Sequence, residues 1–136
     1  MSTHGLIAIG TPEAFEGVYC HWDGYPTWMG DKVMEILQGE GGESEFASLI
    51  ADHDGGWSVL AETCYCHDMD RSHSGRMRKR DAAGVVSWAY VFEPEARKLH
   101  VLLRSQRLVA SLNIDDEAPT RAEWKQIENS RAPWVN

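Results

Sequence analysis

Val85-Val86-Ser87-Trp88-Ala89-Tyr90-Val91-Phe92, then the turn Glu93-Pro94-Glu95-Ala96, then Lys98-Leu99-His100-Val101-Leu102-Leu103-Arg104, decides the fold class. From Gly84 onward the apolar residues repeat every second position, the period of a strand rather than a helix. Val86, Trp88, Tyr90 and Phe92 are expected on one face, with Val85, Ser87, Ala89 and Val91 on the other. Leu99, Val101 and Leu103 repeat the pattern. After Ser105-Gln106, so do Leu108, Ala110, Leu112 and Ile114 between Arg107 and Ile114. Aromatic and β-branched residues separated by short polar turns predict a three-stranded antiparallel meander.

Upstream, Gly5-Leu6-Ile7-Ala8-Ile9-Gly10 reads as a buried strand, and Thr11-Pro12-Glu13-Ala14 is short enough to turn it into a second strand from Phe15 to Trp22. A helix follows, with Thr27 as the expected N-cap, Met29, Val33, Ile36 and Leu37 as its apolar stripe and Gly39 as its stop. A second helix is expected from Ser44, with Phe46, Leu49, Ile50 and His53 on one face and Gly55-Gly56 at its end. Thr120 caps a last helix carrying Ala122, Trp124, Ile127 and Glu128, with Pro133 beyond its end. The expected architecture is a single α+β domain over residues 1–136. It has an antiparallel sheet of about five strands, an N-terminal hairpin plus the meander, and two or three helices on one face.

The chain has 136 residues, 43% of them hydrophobic and 10% aromatic, enough to bury a core in one domain. No apolar run approaches the ~20 residues of a membrane span, so no membrane association is expected. The N-terminus has no basic-then-apolar signal layout, so a cytoplasmic location is the expectation. The net charge of −8 makes nucleic acid an unlikely general partner. That charge is unevenly spread: residues 1–70 sum to −12 and residues 71–136 to +4. Asp31, Glu35, Glu40, Glu43 and Glu45 crowd the first helix and its exit. Arg71, Arg76, Arg78, Lys79 and Arg80 concentrate positive charge in an irregular segment, about residues 61–83, whose basic stretch is expected to be an exposed loop. Such a loop is ordinarily solvated; its functional reading is a contact for phosphate or an acidic protein, and a nucleic-acid binder using the Arg71–Arg80 loop is an alternative expectation, with Arg76, Arg78 and Arg80 as the candidates.

The densest cluster of chemistry is Tyr19-Cys20-His21-Trp22-Asp23-Gly24-Tyr25-Pro26. In a continuing strand His21 and Asp23 point the same way, so the carboxylate can orient the imidazole as it would a general base. A small hydrolase or transferase built on that pair is one expectation. The competing expectation is structural: Asp23 closes a turn with Gly24, Trp22 and Tyr25 staple the strand to the helix, and His21 sits satisfied beneath them.

These residues resemble a family of small, uncharacterised bacteriophage, prophage and bacterial proteins that carry Y-x-H-W-D-G-Y-P near the start, followed by a helix and later an aromatic-rich strand pair. The resemblance is firm over residues 5–38 and looser over 57–103, where Val85–Phe92 matches the later strand. The tail from Arg104 has no counterpart, the glycine-rich sheet connections of the family are missing, and the Arg71–Arg80 segment is particular to this chain. The resemblance implies a setting rather than a reaction. It points to a phage or mobile-element accessory protein, acting in the bacterial cytoplasm, that binds and inhibits a host protein such as a defence or nucleic-acid-processing system.

Cys64, Cys66, His67 and His73 form the one arrangement that invites zinc, but Cys-x-Cys is tighter than a zinc knuckle and no second clean pair exists. No cofactor is therefore expected, and the three cysteines are expected to be free thiols. Phosphate-loop, dinucleotide, nucleophile-elbow and H-E-x-x-H patterns are all missing. The leading expectation is thus a non-enzymatic protein-binding chain whose acidic half, with Trp22 and Tyr25 beside it, meets a basic host surface.

Overall fold

A computed structural model describes residues 3–20, 24–52 and 76–130 of the chain. Strands β1 (Gly5–Gly10) and β2 (Phe15–Cys20) form the N-terminal hairpin. A π-helical turn at Pro26–Gly30 runs into α1 (Asp31–Gln38), which is followed by α2 (Gly42–Asp52). Then come β3 (Arg76–Arg78), the single turn α3 (Lys79–Ala82), and the meander β4 (Trp88–Glu93), β5 (Lys98–Leu103) and β6 (Arg107–Asn113). Helix α4 (Arg121–Asn129) closes the described chain.

The class is α+β, with one six-stranded sheet in the order β3-β2-β1-β4-β5-β6. Two expectations are corrected. The sheet is mixed rather than antiparallel, because β1 runs parallel to β4, pairing Gly5 with Trp88 and Ile9 with Phe92. The hairpin and the meander each expose an apolar strand that needs a neighbour on its open side, and pairing those two strands satisfies both ladders. The sixth strand is Arg76-Met77-Arg78, from the segment expected to be loop; it pairs antiparallel with Glu16–Val18 of β2. A short arginine-rich edge strand needs little apolar burial, and its charges keep further strands away.

Burial explains the order. Leu6, Ile7 and Ala8 in β1 and Ala89, Tyr90 and Val91 in β4 are fully buried, since the two central strands are covered on both faces. On one face Ile7, Val18, Tyr90, Phe92 and Val101 pack against Met29, Val33, Met34, Phe46, Trp124 and Ile127, so α1, α2 and α4 all lie on that side. The Phe46 and Phe92 rings meet edge to face at 6.2 Å, which pins α2 to the sheet and contributes ~1 kcal/mol beyond the area it buries. On the other face Leu6, Ala8, Phe15, Ala89, Val91 and Leu102 gather around Ala82 and Val86.

Local details depart from the simple periodicities. Val86 packs on that second face rather than beside Trp88, because β4 starts at Trp88, after Val85 and Val86 have bonded back to the Ala82 carbonyl. A bulge shifts the β5–β6 register between Val101 and Leu102, which buries Val109 beside Ala110 and leaves Leu108 exposed. Thr120 caps α4 as expected, accepting from the Glu123 N–H at 3.2 Å while the Glu123 carboxylate accepts from the Thr120 N–H at 2.9 Å. Thr27 is not a cap; its N–H and hydroxyl both go to Glu128 of α4, at 3.2 and 2.9 Å. Helix α2 begins at Gly42, two residues ahead of Ser44, and His53 lies outside the described residues.

Candidate functional site

The described part of the motif, Gly24-Tyr25-Pro26, is a tightly built corner. The Gly24 N–H donates to the Thr3 carbonyl at 2.7 Å, and its own carbonyl accepts from the Tyr90 hydroxyl at 2.7 Å. A Cβ on Gly24 would sit 2.6 Å from both the Gly5 nitrogen and the His4 carbonyl carbon, so only glycine lets the chain pass there. Burial pushes the Tyr90 hydroxyl well above the usual phenol range, keeping it a donor. Tyr25 is extended, as a residue before proline should be, and its carbonyl takes the Trp28 and Met29 N–H groups. His21, Trp22 and Asp23 lie outside the described residues, as do Cys64, Cys66, His67 and His73. Among the described residues no three His, Cys, Asp or Glu side chains converge as metal ligands. Cys20 is buried and forms no disulfide among the described residues.

The five acids around the first helix and its exit, Asp31, Glu35, Glu40, Glu43 and Glu45, all lie among the described residues. Asp31 and Glu35 stand one helical turn apart on the exposed side of α1, and Gln38 continues their stripe. Gln38 Nε2 donates to the carbonyls of Ile114 and Asp116 at 3.0 and 2.7 Å, so the stripe ends against the segment that follows β6. There a cleft of about 410 Å³ opens between β6 and α4. Met34, Leu112 and Ile127 line it with apolar surface; Asp116, Glu117 and Glu123 bring carboxylates and Lys98 one amine.

Glu40 and Glu43 border a neighbouring hollow with Arg97 and Asp115. The Arg97 guanidinium grips Asp115 with two bonds of 2.8 Å and also binds Glu43, joining α2 to both ends of the β5–β6 hairpin. Those bonds hold the Asp115 carboxyl below the usual aspartate range. Glu43 therefore already has a counter-charge within the chain, while Asp31, Glu40 and Glu45 are exposed. Asp31 and Glu45 also lie in the first turns of their helices, where negative charge offsets the helix dipole.

The basic segment divides by role. Arg76 donates to the Ile50 and Ala51 carbonyls at 2.7 and 2.9 Å, capping the end of α2. The Lys79 ammonium reaches the Pro12 carbonyl at 2.7 Å. Arg78 comes no closer than 3.9 Å to Glu16 and is exposed, as is Arg80.

Two groups come together only in the folded chain. The first is the cleft-side carboxylates Asp116, Glu117 and Glu123, which come from the second half of the chain and join the first-half acids only through the fold. The second is a cross-strand array: His100 Nε2 lies 2.8 Å from Glu93 Oε1 and Nδ1 lies 2.7 Å from Ser111 Oγ. Since a carboxylate only accepts, Nε2 donates to Glu93, and Nδ1 shares a hydrogen bond with the Ser111 hydroxyl. With both ring nitrogens engaged and the residue buried, the imidazole links β4, β5 and β6. The available signal was the polar face of the meander, on which Glu93, His100 and Ser111 follow one another strand by strand.

Among the described residues no helix is long and apolar enough to cross a membrane. Comparison with protein-family models, with curated proteins and with solved structures finds no match to this chain.

Proposed function

We propose that this chain is a protein-binding accessory protein of the phage or mobile-element kind, which docks a basic surface of a host protein in the bacterial cytoplasm and inhibits it. The observation that carries this reading is the meeting of acids from both halves of the chain on one side of the molecule. The Asp31–Glu35 stripe of α1 runs through Gln38 to the cleft that Asp116, Glu117 and Glu123 border. Residues 24–52 carry six carboxylates and a single amine, Lys32. Clustered like charge raises the encounter rate with an oppositely charged partner and disfavours other polyanions. Pairing with Arg97 takes Glu43 largely out of that field, so Asp31, Glu35 and Glu117 are the residues expected to matter most.

Affinity capture from a bacterial host lysate tests the proposal, with the wild-type chain beside the variant Asp31→Lys/Glu35→Lys/Glu117→Lys. A discrete partner retained by the wild type, lost by the variant and weakened by added salt is the expected result. Identical partner sets on the two chains would overturn it. Circular dichroism of the variant guards against misfolding as the cause of a loss; all three positions are exposed.

A further inference from the structure

The outer edge of β6 offers more than charge. The Ile114 N–H donates to the Arg97 carbonyl at 3.0 Å, and Lys98 stands opposite Asn113, Leu99 opposite Leu112 and His100 opposite Ser111. In an antiparallel pair the bonded positions alternate, so Ile114, Leu112 and Ala110 turn their backbone groups toward β5. Ser111 and Asn113 turn theirs the other way. The outward Asn113 carbonyl takes the Asp116 N–H at 3.1 Å. The Asn113 N–H and both backbone groups of Ser111 meet no partner among the described residues, and β6 is the last strand of the sheet. These same residues line the cleft facing α4, with Met34, Leu112 and Ile127 as apolar floor and three carboxylates against one amine around it.

We infer that this cleft binds an extended segment of a partner protein as a seventh strand beside β6, a segment with apolar residues at its centre and lysine or arginine at its ends. Its backbone would take up both outward groups of Ser111 and the Asn113 N–H. Side chains on one of its faces would enter the apolar floor, and its cationic ends would meet Asp116, Glu117 and Glu123. Exposed backbone donors and acceptors favour a strand, and the charge around the cleft selects a basic one. The inference rests on the reading of the chain as a protein-binding module and specifies how that module grips its partner.

The probe is an acetylated, amidated peptide, Lys-Lys-Val-Thr-Val-Lys-Lys, followed by fluorescence anisotropy and by amide exchange of the protein. Two further peptides, N-methylated at both valines or at the threonine, carry the same charge but block one or the other edge of the added strand. The parent peptide should bind, protect the Ser111 and Asn113 amides, and lose at least tenfold in affinity in one N-methylated version but not in the other. A Ser111→Pro variant, which removes an outward N–H at an edge position where proline is tolerated, should lose tenfold as well. Equal binding of all three peptides, with no protection at Ser111 or Asn113, would overturn strand addition while leaving a purely electrostatic acidic surface intact. Failure of every peptide to bind would also overturn it. The wider reading falls separately, if lysate capture is indifferent to the Asp31/Glu35/Glu117 reversal.

Discussion

The two edges of the sheet are finished in opposite ways. At one edge β3 is three residues long, flanked by arginines and tied down on both sides, through Arg76 to the end of α2 and through Lys79 to the β1–β2 turn. At the other, β6 is seven residues long and runs beside an open cleft. A short, charged, tethered strand is how a sheet avoids unwanted pairing, whereas a longer strand with free backbone groups invites it. This chain thus has one edge built for closure and one left for contact. Arginines flank the closed edge, and carboxylates gather at the cleft end of the open one, whose other end carries Arg104 and Arg107.

The largest expected effect comes from unmaking the closed edge. A Cβ at Gly17 would lie 1.9 Å from the Ile7 carbonyl oxygen and 2.5 Å from the Ala8 Cα, both backbone atoms that cannot give way. Gly17→Val should therefore cost at least ~3 kcal/mol in urea denaturation and separate β2 from β1. A variant within ~1 kcal/mol of wild type would show that the β2–β3 side contributes little to the fold.

A smaller loss, about 1 kcal/mol, is expected for Arg76→Met, which removes the donors to two carbonyls at the end of α2. Arg78→Met, at an exposed position 3.9 Å from its nearest carboxylate, should change stability by less than about 0.5 kcal/mol. Equal effects at the two arginines would break the distinction between a tether and a solvated charge.

The smallest effect belongs to the open side. Arg97 lowers the Asp115 pKa, so the pair's contribution is present at neutral pH and fades as pH falls through the folded-state value. The stability gap between wild type and Asp115→Asn should accordingly narrow as the pH falls below the usual aspartate range, and also at high salt. A gap that stays constant with pH would show that the contact acts through shape rather than charge.

Much of the fold was legible because it is written locally. The meander, the hairpin, the Thr120 cap and the Met29–Val33–Leu37 stripe follow from spacing alone. The parallel junction of β1 with β4 was not, since no local pattern says which strand fills an open edge. Strand β3 escaped notice because Arg76-Met77-Arg78 has only one apolar residue, and an edge strand tied by its own side chains needs no more. At the site, the first-half acids and the structural role of Gly24 were visible in the sequence. The cleft was not: Glu117 and Glu123 lie more than seventy residues from Asp31 and Glu45. The Gln38 link between α1 and the segment after β6, together with the Arg97 bridge from Glu43 to Asp115, brings the two sets to one side.

The parallel contact between β1 and β4 has a consequence in time. Both partners belong to hairpins that can close from nearby residues, one at the start of the chain and one near its end. Joining them requires closing a loop of about half the sequence, from Cys20 to Trp88, which gives no contact energy until the strands meet. The meander and the N-terminal hairpin should therefore assemble first, each marginal by itself, with their docking as the rate-limiting event. Until that event the apolar faces of Leu6, Ala8, Ala89 and Val91 stand open to solvent, and the nascent chain is most exposed to aggregation then.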